Sequence, residues 1–137
     1  MTTKNYQGTC HCGAVAFQAD IDFAKGTTRC NCSICSKSRF WFAIVPPDDF
    51  KLEKGEDALA DYTWIAPGKT ESHLHYRFCK HCGVRAFAEG NGGKFYAVAI
   101  SALDGIEQDA DQLAQTLHYN DGRHDDLQHA PADTRLL

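Results

Sequence analysis

Apolar and polar residues alternate along much of the chain, and the alternation is interrupted by clusters of Gly, Pro, Asn and Asp. Alternation rich in β-branched and aromatic side chains predicts strands at 14–19, 40–45, 50–54, 60–65, 73–78, 84–88, 95–101 and 117–120. Turn chemistry separates several of them: Pro46-Pro47-Asp48-Asp49, Lys54-Gly55-Glu56-Asp57, Ala66-Pro67-Gly68-Lys69 and Glu89-Gly90-Asn91-Gly92-Gly93. Short connections of this kind suit hairpins and meanders, so the chain reads as mainly β. Residues 104–115 hold Gly, Ile, Leu and several acids at no clean period, which predicts a loop or a short helix. The tail after Gly122 is polar and is expected on the surface.

The longest apolar run, Phe40-Trp41-Phe42-Ala43-Ile44-Val45, falls far short of the ~20 residues that span a bilayer, so no membrane role is expected. The formal net charge of −4 comes with mixed signs and no run of Lys or Arg. Such a surface has no field for tracking phosphates, which argues against a nucleic-acid partner. The stretch Met1 to Tyr6 has no apolar segment of a secretory leader, so a reducing, cytoplasmic setting is expected. The 137 residues suffice for a single domain with a core of its own.

Cysteine changes the picture most. Seven cysteines fall in three groups: Cys10 and Cys12, then Cys30, Cys32 and Cys35, then Cys79 and Cys82. Thiolates spaced by one or two residues can share one metal ion. Residues so close in sequence do not easily bridge each other, and an odd number leaves one cysteine over, so a disulfide framework fits poorly. Thiols that serve only as small buried hydrophobes would not need two paired spacings with matching glycines. A metal-free redox site would need the strand-helix-strand context of a C-x-x-C oxidoreductase, which the rest of the chain lacks.

Two groups look like copies of one unit. Cys10-His11-Cys12-Gly13 and Cys79-Lys80-His81-Cys82-Gly83 each run into an apolar strand. Glycine after the second cysteine permits a positive φ that turns backbone N–H groups toward the thiolates, as in a zinc knuckle. Cys10, Cys12, Cys79 and Cys82 together supply four sulfurs for a closed, structural tetrahedral site, and folding is expected to couple to metal binding.

The middle group, Cys30, Cys32 and Cys35, offers three ligands, the pattern of a zinc with a free position. A histidine could instead close the site, from among His11, His73, His75, His81, His118, His124 and His129. Ser33 and Ser36 are placed to donate to sulfur, and a short helix from Cys32 through Arg39 would lower the thiol pKa values further. Alternation puts Phe40 and Phe42 on one face and Trp41 on the other, giving an apolar wall beside the metal. His11, Lys37 and Arg39 are the proton donors nearest in sequence to either cluster.

The motifs Gly8-x-Cys10-x-Cys12-Gly13-x-Val15-x-Phe17, Cys30-x-Cys32-Ser33-x-Cys35 and Phe78-Cys79-x-x-Cys82-Gly83 occur in an order that resembles the glutathione-dependent formaldehyde-activating enzyme family, which also includes centromere protein V. The segment from Val98 to Asp104 resembles the strand and Leu-Asp turn that follow in that family. The resemblance runs from about residue 6 to 120, which implies a single zinc-binding domain, 1–137, with its core at about 6–120 and a C-terminal extension at 121–137. It implies a Mss4-like β-tent of antiparallel sheets clipped by zinc. It also implies a structural site at Cys10, Cys12, Cys79 and Cys82 and a second, catalytic site at Cys30, Cys32 and Cys35, hence two Zn2+ per chain.

The activity implied is a carbon-sulfur lyase that reversibly joins a thiol, glutathione or similar, to formaldehyde or another small aldehyde. Zinc held by three thiolates is a weak Lewis acid toward water and is better suited to bind a substrate thiol, which argues against hydrolysis. The rival reading is a zinc-stabilised, non-catalytic interaction module, and a homo-oligomer is compatible with either.

Overall fold

The structure is a computed structural model that describes residues 3–137, so the first two residues of the N-terminal stretch lie outside the described residues. Among the described residues ten strands form two sheets. In chain order they are β1 (Lys4–Thr9), β2 (Ala16–Ile21), β3 (Thr27–Cys30), β4 (Trp41–Val45), β5 (Phe50–Lys54), β6 (Leu59–Tyr62), β7 (Leu74–Cys79), β8 (Arg85–Gly90), β9 (Phe95–Ala99) and β10 (Leu117–Asn120). The smaller sheet has the order β1-β2-β5 and the larger the order β10-β3-β4-β9-β8-β7-β6. Helices α1 (Ser33–Ser38) and α2 (Ala110–Thr116) are short. The molecule is therefore mainly β and has the character of a Mss4-like β-tent.

The strands expected at 50–54 and 117–120 have those bounds, and the others shift by one to three residues at their ends. The strand expected at 14–19 starts at Ala16 because the preceding residues belong to a cysteine turn. Two further strands had weak signals. In β1, Lys-Asn-Tyr-Gln-Gly-Thr, only Tyr6 and Gly8 are buried, so the strand is nearly all polar in sequence. β3 has only four residues and carries Arg29 in its middle. The sheets are antiparallel except at one edge, where β10 runs parallel to β3 with Asn120 opposite Cys30. That parallel pair returns the end of the core to the three-cysteine group.

Aromatic packing holds the sheets together. Phe17 on β2 and Phe50 on β5 meet Phe87 on β8 and Tyr96 on β9, with ring centroids 5.5 Å apart for Phe17–Phe50, 4.7 Å for Phe50–Phe87 and 4.4 Å for Phe50–Tyr96. Phe17 and Phe87 are buried, and alternation along each strand explains why these positions are apolar. Gly8 is needed for this seam: a Cβ there would lie 2.2 Å from the Phe17 ring, which crosses the β1 backbone.

Between residues 104 and 115 the chain forms a 3-10 turn at Ile106–Asp109 that leads into α2. Asp109, at that junction, accepts from the Tyr6 hydroxyl at 2.9 Å and pairs with Lys4 at 3.1 Å, tying α2 to the edge strand β1. Burial, then the bond to Asp109, pushes the Tyr6 phenol up to about 12. Among the described residues no helix is long and apolar enough to cross a membrane.

Candidate metal and thiol site

The two knuckles have matching backbone geometry. Cys10 N–H donates to Val15 O at 3.1 Å and Gly13 N–H to Cys10 O at 3.2 Å; Cys79 N–H donates to Val84 O at 3.0 Å and Gly83 N–H to Cys79 O at 2.7 Å. Gly13 and Gly83 have φ of 82° and 78°, the left-handed conformation expected for the residue after the second cysteine. Amide N–H groups point at sulfur in both, from Val15 to Cys10 at 3.3 Å and from His81 to Cys79 at 3.4 Å. One knuckle joins β1 to β2 and the other β7 to β8, so their meeting links the two sheets.

Cys10, Cys12, Cys79 and Cys82 bring their sulfurs within 4.8 Å of one another. The Sγ separations are 3.7 Å for Cys10–Cys12 and 3.6 Å for Cys12–Cys79. Four thiolates about 2.3 Å from a tetrahedral zinc would have sulfur–sulfur edges of about 3.8 Å, so the donor set fits that ion. Backbone amides of Val84 and Cys12 bring the Cys82 thiol down to about 6, toward the thiolate that a metal needs.

Cys30, Cys32 and Cys35 also lie within 4.8 Å of one another. Cys30 ends β3, Cys32 is the N-cap of α1 and Cys35 sits inside that helix, so strand end and helix start deliver the three sulfurs to one point. Among the described residues no His, Asp or Glu joins this group, including all seven histidines. Donation from the Cys32 and Cys35 thiols, followed by the amides of Cys32 and Gly122, holds Cys30 far below the usual thiol range. Its two partners push Cys35 up, and burial adds to the shift. The group thus favours one negative charge even before a metal offsets it.

Cys32 starts a helix as expected, although α1 ends at Ser38 and Arg39 caps it with a φ of 57°. The serines behave differently from the expectation. Ser36 Oγ donates to Asn31 O at 3.0 Å, the carbonyl within reach at the helix start, and Ser33 is exposed. Phe40 and Phe42 do share a face, with ring centroids 5.1 Å apart, while Trp41 stacks under Arg29 on the other. His11, Lys37 and Arg39 are exposed, and Arg39 donates to Leu136 O at 2.6 Å.

Three groups near the three cysteines had no signal in the sequence. Gly122 lies so close that a Cβ would sit 2.6 Å from Cys30 Sγ and 2.9 Å from Cys32 Cβ. Asn31 fixes this segment, donating to Asp121 Oδ1 at 2.9 Å and accepting from Arg123 N–H at 3.0 Å. On another side, Tyr76 is buried, its hydroxyl hydrogen-bonded by Trp64. Burial pushes the Tyr76 phenol up, and the neighbouring Cys35 and Cys32 thiols add to the shift, so it keeps its proton at neutral pH. The Arg85 guanidinium stacks on Tyr76 at 4.6 Å and on Phe40 at 5.3 Å.

A tented β fold with one closed and one open group of thiols defines a class of cysteine-clipped β proteins suited to zinc. Residues 5–120 match the family model described as glutathione-dependent formaldehyde-activating enzyme, and the chain belongs to that family. Among solved structures, it is similar to the crystal structure of a Rhodobacter sphaeroides protein determined as a structural genomics target. The two share 27% sequence identity with a TM-score of 0.64, over 76% of this chain and 94% of the other.

Proposed function

We propose that the protein is a zinc-dependent carbon-sulfur lyase that reversibly adds a thiol, glutathione or a relative of it, to formaldehyde or another small aldehyde. The observation that carries this reading is the contrast between four sulfurs in one group and three in the other. Cys10, Cys12, Cys79 and Cys82 would hold a structural zinc; Cys30, Cys32 and Cys35 would hold a second and leave a position for substrate sulfur. Zinc bound there supplies acidification of the incoming thiol at neutral pH.

The chain's own residues do the rest. Asn31 and Gly122 keep Cys30 in place, and Phe40 and Phe42 give an apolar wall that keeps water from competing for the aldehyde carbon. In the forward direction the sulfur–carbon bond forms, the carbonyl π pair moves to oxygen, and that oxygen takes a proton to give the hemithioacetal. Tyr76 is the hydroxyl suited to meet this oxygen, since it is held protonated near Cys32 and Cys35. The reverse step returns the proton and cleaves carbon from sulfur. A cytoplasmic setting, with its thiol pool, suits such a reaction.

The test is exchange between formaldehyde hydrate and S-hydroxymethylglutathione, followed by NMR, with the zinc-loaded protein. The expected result is acceleration by wild type and none by Cys32→Ser of unchanged circular dichroism. No acceleration by wild type would favour the rival reading, a metal-braced interaction module.

A further inference from the structure

Most arginines of this protein have evident partners. Arg77 lies 3.5 Å from Glu56 and 3.7 Å from Glu89, and Arg135 is 2.7 Å from Asp133. Arg123 donates to Asn31 and Arg39 to Leu136 O. Arg29 and Arg85 differ, since among the described residues neither has an ion pair. Arg29 lies over the Trp41 ring at 4.5 Å. Arg85 has one hydrogen bond, a long contact of 3.4 Å to Ser38 Oγ, and its buried Nε, like that of Arg77, has no partner. Two aromatic faces hold the guanidinium in place, and burial lowers its pKa. A partly buried cation left without a carboxylate incurs a desolvation cost that an anionic ligand would offset.

Space for such a ligand lies next to it. Ser38, Asp61, Tyr62, Phe78, Val84 and Arg85 line an open groove of about 580 Å³, in which the Asp61 carboxylate is engaged by His75 at 2.7 Å. One wall of the groove, Gly83 and Val84, follows the second knuckle, and another, Ser38, ends α1, the helix that carries Cys35. The crevice that Cys30 and Cys35 line, together with Leu136 and Leu137, has a volume of only about 10 Å³, too small for the body of such a ligand.

We propose that this groove binds the body of an anionic thiol and that Arg85 anchors its carboxylate, making Arg85 the residue that selects acidic thiols over neutral ones. The proposal rests on the reading that the three-cysteine site takes a thiol. Planar guanidinium and carboxylate can pair through two parallel hydrogen bonds, and the ring faces on Tyr76 and Phe40 hold the fork in place for this.

Calorimetric titration of the zinc-loaded protein with glutathione and with its diamide, both carboxylates converted to amides, tests this directly. Wild type should bind glutathione about tenfold more tightly than the diamide, and Arg85→Gln should bring the two within about twofold while retaining its zinc. Equal binding of both ligands by wild type overturns the anchor and leaves the thiol site standing. Retained discrimination in Arg85→Gln also overturns it. Binding of neither ligand by wild type overturns the thiol site and the anchor together. The two-ligand comparison in wild type decides the matter even if Arg85→Gln folds poorly.

Discussion

The two cysteine groups are built from the same ligand type by different local structures, and the difference matches the fastening and the site proposed for them. Cys10, Cys12, Cys79 and Cys82 come from two matching turns on different sheets, and each turn points backbone amides at sulfur. Cys30, Cys32 and Cys35 come from one strand end and one short helix, so they staple nothing distant. Their surroundings are instead chemical: a tyrosine hydroxyl, an arginine that has no ion pair among the described residues, and an aromatic wall. A metal that closes a long loop stabilises the fold, whereas one held by local ligands can be exposed to substrate at little structural cost.

The largest expected effect breaks the fastening. Cys10→Ser or Cys82→Ser should abolish cooperative unfolding by circular dichroism. Apparent binding energies of structural zinc, about 10–16 kcal/mol, rival the whole stability of a domain, about 5–15 kcal/mol. A folded Cys10→Ser protein would mean that the aromatic seam around Phe17, Phe50 and Phe87 suffices without the clip.

Smaller effects sharpen the contrast from the other side. Tyr76→Phe removes only a hydroxyl, and turnover should fall about 100-fold with zinc content unchanged. An unaffected rate would assign Tyr76 to packing alone. Gly122→Ala places a methyl against Cys30 and Cys32. Zinc affinity at the second group should fall about tenfold in competition with a chelator, while the first group keeps its metal.

The smallest effect probes what holds β1 apart from metal. The Tyr6 phenol has a raised pKa in the folded protein, so its contribution is fully present below the unfolded value near 10 and is lost as pH rises through about 12. Tyr6→Phe should cost about 1 kcal/mol at neutral pH and should remove this alkaline loss, as read by urea melts from neutral pH to pH 12.

Much of the fold and the ligand pairing was legible in the sequence because both depend on short-range rules. Alternation located eight of the ten strands, and Cys-x-Cys-Gly and Cys-x-x-Cys-Gly specify their turns locally. β1 and β3 were not visible because an edge strand and a four-residue strand carry little alternating apolar surface. The surroundings of the three cysteines were not visible either, for a different reason. Tyr76 on β7 and Arg85 on β8 share a sheet with Cys30 only through the order β3-β4-β9-β8-β7, and Gly122 follows β10, which pairs with the distant β3. Sequence proximity instead pointed to His11, Lys37 and Arg39, which are exposed. The bare dipeptide Asp121-Gly122 reads as an ordinary turn until β10 is seen beside β3.

Native mass spectrometry of the folded chain, with and without glutathione, tests the division of labour most directly. Two zinc ions per chain are expected, with a glutathione adduct that Cys32→Ser loses along with one zinc. One zinc per wild-type chain and no adduct would contradict the account, leaving both groups of cysteines as parts of a structural module.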